Sequence, residues 1–228
     1  MSILERVHEV EERIAAACAR SGRSRDEVTL VAISKTFPAS LVDEAIEAGV
    51  TDVGENRVQE LKQKVEQTTR RVRWHLVGHL QSNKAREAAR LCTMIQSVDS
   101  LHLAERIGRA ASEEGKRIEV LIQINVGDEP QKSGVEPAEA SRLAEAIAKI
   151  DALDLRGLMT IPPIASTEQT RASFRRMREI RDNVARVVGD ERARVLSMGM
   201  SDDFEIAIEE ESTMVRIGRA MFGERERT

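Results

Sequence analysis

The chain has 228 residues, 41% of them hydrophobic, so it is long enough to build one large domain around a sizeable core. Its formal net charge is −4 at pH 7, whereas a nucleic-acid-binding surface requires an excess of basic residues. No apolar stretch approaches the roughly 20 residues that span a bilayer, so we expect neither a nucleic-acid nor a membrane partner.

Helix-like and strand-like segments alternate along the chain. Apolar residues at helical spacing predict a first helix over residues 3–18. β-rich apolar runs predict strands over residues 29–34, 51–53, 73–77, 93–98, 118–126, 155–161, 194–198 and 213–217. The helices predicted between them cover residues 41–48, with Ser40 as a cap, 55–67, 84–91, 101–114, 137–150 and 168–188, followed by a short helix before the last strand.

This alternation amounts to about eight β/α units, which is typical of a (β/α)₈ TIM barrel. The strands are continuous apolar runs, which favours a parallel sheet that is covered on both faces. No G-x-G-x-x-G motif is present, so a dinucleotide-binding Rossmann fold is disfavoured. We predict a single α/β barrel domain over residues 1–228 with an extra N-terminal helix. An open, doubly wound sheet stays an alternative, because alternation alone does not show that the sheet closes.

The two cysteines and the N-terminus indicate the cellular compartment. Cys18 falls on the apolar stripe of the first predicted helix and Cys92 lies beside a predicted strand, so both are expected to be small buried side chains. A disulfide framework is not expected, which fits a reducing compartment. The first residues, Met-Ser-Ile-Leu-Glu-Arg, do not resemble a secretion signal. We therefore expect a cytoplasmic protein.

Lys35 is the first candidate functional residue. It follows the apolar run Leu-Val-Ala-Ile-Ser and precedes Thr-Phe-Pro, so a strand leads directly into a lysine and then a turn. An amine held at the mouth of a barrel is a candidate to form a Schiff base with a carbonyl compound such as pyridoxal 5′-phosphate (PLP). The alternative is a solvent-facing lysine at a strand end.

A second candidate region lies near the other end of the chain. Ser201 follows a predicted strand at a turn into a helix, where backbone amides and a hydroxyl bind anions. The alternative is an ordinary N-cap serine. Arg216 ends the last strand, and Gly218 after it lets the backbone approach phosphate oxygens. An arginine at a pyridine nitrogen donates to the unprotonated ring, which weakens the ring as an electron sink.

Metal chemistry is not predicted. His75 and His79 are four residues apart, but they straddle the end of a strand and so share no helical face. Neither a C-x-x-C nor an H-E-x-x-H motif is present.

Seven segments together are similar to one known family, the pyridoxal phosphate homeostasis proteins. They are VAISKT (31–36), GENRVQE (54–60), WHLVGHLQSNK (74–84), KSG (132–134), RGLMTI (156–161), LSMGMSDD (196–203) and STMVRIG (212–218). The resemblance implies a barrel like the N-terminal domain of alanine racemase, with the cofactor PLP joined to Lys35. It also implies that phosphate is held by Ser201 and the backbone at Gly218 and Arg219, while Arg216 faces the ring nitrogen and Asn56 lies near the cofactor.

The resemblance implies a PLP carrier that serves vitamin B6 homeostasis and amino-acid balance as a monomer, without robust catalysis and therefore without catalytic residues. Apo forms of PLP-dependent enzymes are its expected recipients. Lys132 is expected to help PLP enter or leave, or else to be a solvated loop lysine.

Two alternatives stay open. One is a weak PLP-dependent amino-acid racemase. The resemblance implies that a two-base racemase of this fold is a larger protein, in which a second domain donates a tyrosine opposite the lysine. This sequence contains no tyrosine, and we expect no such domain after Arg216. The other is an unrelated phosphate-binding barrel enzyme in which Lys35 is incidental.

Overall fold

Eight parallel strands form a closed barrel in the computed structural model, which describes residues 1–127, 133–163 and 165–223. The strands are β1 (Thr29–Ile33), β2 (Asp52–Glu55), β3 (Arg73–Leu76), β4 (Met94–Val98), β5 (Ile118–Gln123), β6 (Leu153–Met159), β7 (Val195–Ser197) and β8 (Met214–Ile217). Thr29 of β1 is in register with Met214 of β8, and Ala32 with Ile217, which closes the sheet. The predicted barrel is confirmed, and the open-sheet alternative is wrong. The prediction for Lys132 lies outside the described residues.

A helix follows each strand, and one more helix precedes the first strand. The helices are α1 (Ile3–Arg20), α2 (Ala39–Glu47), α3 (Val58–Gln67), α4 (Ala85–Leu91), α5 (Leu101–Glu113), α6 (Ala140–Ile147), α7 (Thr167–Val188), α8 (Phe204–Glu209) and α9 (Arg219–Phe222). The predicted N-terminal helix is α1, which begins with a capping box formed by Ser2 and Glu5. It packs against α2, α8 and α9. No helix among residues 1–127, 133–163 and 165–223 is long and apolar enough to cross a membrane.

Two element boundaries differ from the sequence prediction for physical reasons. Pro38 is the N-cap of α2, so Ser40 lies inside the first turn and the predicted serine cap is wrong. The proline adopts an extended ψ, and the helix begins at the next residue. Glu55 ends β2 and is fully buried, whereas the sequence predicts it as the first residue of a polar helix. The helix begins only at Val58.

The core has two parts, separated by the wall of the barrel. One part packs the outer faces of the strands against the helices and includes Trp74 and Phe174. The other fills the interior of the barrel with seven buried apolar side chains: Val31, Ile33, Val77, Met94, Leu121, Met159 and Met214. Because side chains alternate along a strand, residues two positions from these also point inward. The interior therefore includes buried polar side chains of β3, β4, β5 and β8, which are His75, Gln96, Gln123 and Arg216.

Candidate functional site

A cavity of about 250 Å³ opens where the strands of the barrel end. The six residues that the sequence analysis singles out all line it: Lys35, Asn56, Ser201, Arg216, Gly218 and Arg219. They come together because β8 pairs with β1, which places the residues after β8 beside those after β1. Their role in binding a ligand stays a prediction.

Lys35 is presented by a tight turn. The Phe37 amide donates to the Ser34 carbonyl oxygen at 3.0 Å, so Lys35 and Thr36 are the two central residues of the turn. Thr36 has φ of +71°, a left-handed conformation that β-branched residues rarely adopt. Such a conformation costs on the order of 1–3 kcal/mol and persists only where the surroundings fix it. Strain is thus concentrated at the residue next to the candidate amine.

The part of the cavity formed by residues after β7 and β8 has the features of a phosphate site. Gly218 packs closely on β1, since a Cβ at this position would lie 3.2 Å from the Ile33 carbonyl oxygen. The Ser201 hydroxyl accepts a hydrogen bond from the Ala220 amide at 3.2 Å, at the start of α9. A hydroxyl that accepts there directs its own proton elsewhere, as contact with a phosphate oxygen requires. The backbone at Gly218 and Arg219 and the Ser201 hydroxyl therefore fit the phosphate of PLP.

The acidic residues beside Ser201 are engaged within the protein. The Met200 amide donates to the Asp203 carboxylate at 2.6 Å, and Asp202 forms an ion pair with Arg219. Burial raises the pKa of Asp203. The N-cap of α8 is Asp203 rather than Ser201, so the alternative of an ordinary N-cap serine is wrong.

Arg216 forms the inner wall of the cavity. Its side chain is buried, and its guanidinium donates to the Ser197 hydroxyl and to the Thr160 carbonyl oxygen, both at 2.7 Å. Burial lowers the pKa of Arg216 to about 10, and the negative charge of Asp203 opposes this shift. The guanidinium is therefore still charged at neutral pH and has further N–H groups that can donate to an acceptor in the cavity.

A chain of buried hydrogen bonds runs from Arg216 through the interior of the barrel. Ser197 donates to the Gln96 side-chain oxygen at 2.7 Å, and the Gln96 amide nitrogen donates to His75 Nδ1 at 2.9 Å. His75 Nε2 then carries the proton and donates to Asp52 at 2.8 Å. Burial alone would raise the pKa of Asp52, but hydrogen bonds from His75 and Thr51 and the Arg73 charge lower it.

The two histidines therefore have separate surroundings. His75 is part of the buried chain, whereas His79 is largely exposed and lies 3.4 Å from Asp99. Within the described ranges, no three histidine, cysteine, aspartate or glutamate side chains are grouped as metal ligands.

Six further residues line the cavity that the sequence analysis did not assign to ligand binding: Ile33, Val77, Gly78, Ile161, Met200 and Asp202. Gly78 and Met200 come shortly after strands and Asp202 follows Ser201, so the sequence contains a signal for these three. The interior partners Gln96 and His75 gave no such signal, because their inward orientation follows only from the closed barrel.

Comparison with known proteins identifies the family. Residues 9–226 match the family model described as alanine racemase, N-terminal domain. A pyridoxal phosphate homeostasis protein of Aquifex aeolicus (strain VF5) is 41% identical over 227 residues, which cover 99% of each chain. The chain belongs to the pyridoxal phosphate homeostasis protein family. Another relative of that name, from Escherichia coli (strain K12), is 42% identical over 233 residues, which cover 98% of this chain and 97% of the relative.

A solved structure of a PLP-binding relative supports the fold. PipY of Synechococcus elongatus PCC7942, determined with PLP bound, superimposes with a TM-score of 0.82 at 36% identity. The match covers 94% of this chain and 100% of the PipY chain.

Proposed function

We propose that this protein binds PLP through a Schiff base on Lys35 and serves intracellular PLP homeostasis and amino-acid balance. One observation carries the proposal. A lysine, a buried guanidinium and a glycine–serine phosphate cradle line the same cavity of about 250 Å³, in a chain whose relatives are named for PLP homeostasis. PipY, which shares this fold, binds PLP in its solved structure.

Each residue has a distinct role in this proposal. The neutral amine of Lys35 condenses with the PLP aldehyde, forming a C=N bond and releasing one water molecule. Ser201 and the backbone at Gly218 and Arg219 hold the phosphate, and Arg216 donates to the ring nitrogen. Asn56 completes the wall beside Lys35.

We also propose that the protein is a carrier rather than an enzyme. The charged Arg216 guanidinium favours an unprotonated ring nitrogen, and PLP bound in this way is a weak electron sink. The sequence contains no tyrosine to act as a second base opposite Lys35. A weak amino-acid racemase is the second candidate, because the family model is that of an alanine racemase domain.

The remaining parts of the proposal concern the state of the protein in the cell. We propose that residues 1–228 act as one domain, that the protein is a cytoplasmic monomer, and that apo PLP-dependent enzymes receive its PLP. Gel filtration at several concentrations and PLP transfer to a purified apo-enzyme test the monomer and the transfer.

Borohydride reduction of the PLP-loaded protein, followed by peptide mass mapping, tests the central proposal. We expect a pyridoxyl phosphate group on Lys35 and none in Lys35→Ala. Lys62→Ala is the matched control, since Lys62 pairs with Glu87 outside the cavity. Retained PLP without any adduct on Lys35 would favour the unrelated phosphate-binding barrel. Chiral chromatography of alanine incubated with the protein separates carrier from racemase.

A further inference from the structure

A buried ion pair lies directly behind the turn that presents Lys35. Lys64 of α3 is 6% exposed and Glu55 is fully buried, and their side chains form an ion pair. Lys64 Nζ also donates to the Ser34 carbonyl oxygen at 2.5 Å, and the Ser34 hydroxyl donates to Glu55 at 2.6 Å. Among the described residues, the second oxygen of Glu55 has no hydrogen-bond partner.

Stability alone is a poor explanation for this pair. A buried ion pair is often no more stabilising than apolar side chains of similar volume, because both charges lose their hydration. Lys64 and Glu55 are nevertheless placed where they bind the residue immediately before Lys35. Their position points to a role in the geometry of the turn.

Glu60 contacts the residue that follows Lys35. It lies one helical turn before Lys64 on α3, so the two side chains share a face. Its carboxylate accepts a hydrogen bond from the Thr36 amide at 3.3 Å. One helix therefore contacts both chain neighbours of Lys35, Ser34 through Lys64 and Thr36 through Glu60.

The turn needs such contacts because Thr36 is strained, with φ of +71°. A threonine released from its neighbours returns to negative φ, which reorients the peptide groups on both sides of it. The next residue, Phe37, is held separately by stacking on Phe222, with ring centroids 5.4 Å apart. The contacts from α3 thus act on Ser34 and Thr36, the part of the turn that surrounds Lys35.

We propose that Lys64 and Glu60 are positioning residues that hold the Ser34–Phe37 turn in the conformation from which Lys35 binds PLP. This inference rests on the proposed function of Lys35. Neither side chain lines the cavity that holds Lys35, so both act through the backbone on either side of it.

The test begins with the double variant Lys64→Met/Glu55→Gln. Lys64→Met alone would leave a buried unpaired carboxylate and endanger folding, whereas the double variant removes both charges and the donor to Ser34. If the turn then adopts its binding conformation about a tenth of the time, the apparent Kd for PLP rises about tenfold. Lys62→Met, on the same helix but paired with Glu87 at 3.5 Å, serves as the control and keeps the wild-type Kd.

A rescue experiment separates positioning from general destabilisation. Glycine adopts positive φ without steric cost, so adding Thr36→Gly to the double variant is expected to restore most of the lost affinity. Glu60→Ala is expected to weaken binding while Glu60→Gln, which keeps an acceptor oxygen, does not. Hydrogen exchange of the Thr36 and Phe37 amides without PLP is expected to accelerate in the double variant, because exchange rises in proportion to the open population of the turn.

The outcomes distinguish the two proposals. A folded double variant with wild-type PLP affinity and wild-type amide exchange would overturn the inference, as would a loss of affinity that Thr36→Gly does not rescue. If the wild-type protein failed to bind PLP while exchange at Thr36 still depended on Lys64 and Glu60, the proposed function would be lost. The positioning of the turn would then stand without it.

Discussion

Adding one methyl group at position 78 tests how the cavity is built. Gly78 lies two residues after the end of β3 and lines the cavity beside Asn56. A Cβ at position 78 would overlap the Asn56 carbonyl oxygen and lie 2.9 Å from both the carbonyl carbon and the Cα of Asn56. Because ordinary carbon–carbon contacts are about 3.5–4.0 Å, the Asn56 backbone must move by at least about 0.6 Å.

This displacement gives Gly78→Ala two measurable effects. Overpacking of a rigid site typically lowers the free energy of unfolding by about 1–3 kcal/mol, which urea denaturation of the PLP-free protein measures. The same movement displaces Asn56 from the wall of the cavity. A loss of about 1.4 kcal/mol in binding raises the Kd for PLP about tenfold, which a titration followed by PLP absorbance measures.

Gly108→Ala is the matched control. In α5, a Cβ at position 108 would lie 2.5 Å from Ile150 Cγ2, so this substitution also overpacks the protein. Gly108 does not line the cavity, and we expect a change in stability without a change in PLP affinity. The reasoning would be refuted by a Gly78→Ala protein with wild-type stability and wild-type affinity.

Three further predictions concern the interior of the protein. Ser197→Ala removes the hydroxyl between Arg216 and Gln96, and we expect a loss of about 1–3 kcal/mol in urea denaturation because buried polar groups lose their partner. The pKa of Asp52 is lower in the folded protein than the ordinary aspartate value. The ionised carboxylate therefore stabilises the fold above the ordinary aspartate pKa, and this stabilisation is lost as the pH falls through the folded-state pKa. Asp52→Asn should therefore flatten the acid limb of stability measured against pH. Burial raises the pKa of Cys92 to about 12, so iodoacetamide at pH 8 should alkylate it only after denaturation, as judged by mass spectrometry.

The grouping of the six candidate residues was predictable from the sequence because a parallel barrel has a simple rule. Lys35, Asn56 and Ser201 are far apart in the chain, but each follows a strand. The carboxyl ends of parallel strands lie on the same side of a barrel, so residues after strands meet there. The apolar runs located the strands well enough for this rule to apply, even where their predicted ends were wrong by a few residues.

The contacts that support the site were not predictable in the same way. Glu55 and Lys64 are charged residues in a polar stretch, a pattern that is typical of a solvated helix face. They are buried because β2 extends further than predicted and α3 packs over its end, where each charge meets the other. The positive φ of Thr36 also lacks a sequence signal, since glycine or asparagine usually marks such a turn.

The interior of the barrel explains why Arg216 faces the cavity as a donor. A guanidinium has five N–H groups and no acceptor. The Thr160 carbonyl oxygen and the Ser197 hydroxyl accept two of these N–H groups from the wall. Ser197 has to accept from Arg216 because its own proton is directed to Gln96, whose amide is fixed in turn by His75. The donor-to-acceptor direction of this series of hydrogen bonds therefore matches a charged Arg216. A carboxylate at position 216 would face the carbonyl oxygen of Thr160 with no proton to donate. In the proposed binding mode, with the PLP ring nitrogen at Arg216, that nitrogen would meet a donor and stay unprotonated. Together with the absence of tyrosine, this is the basis for proposing a carrier rather than a racemase.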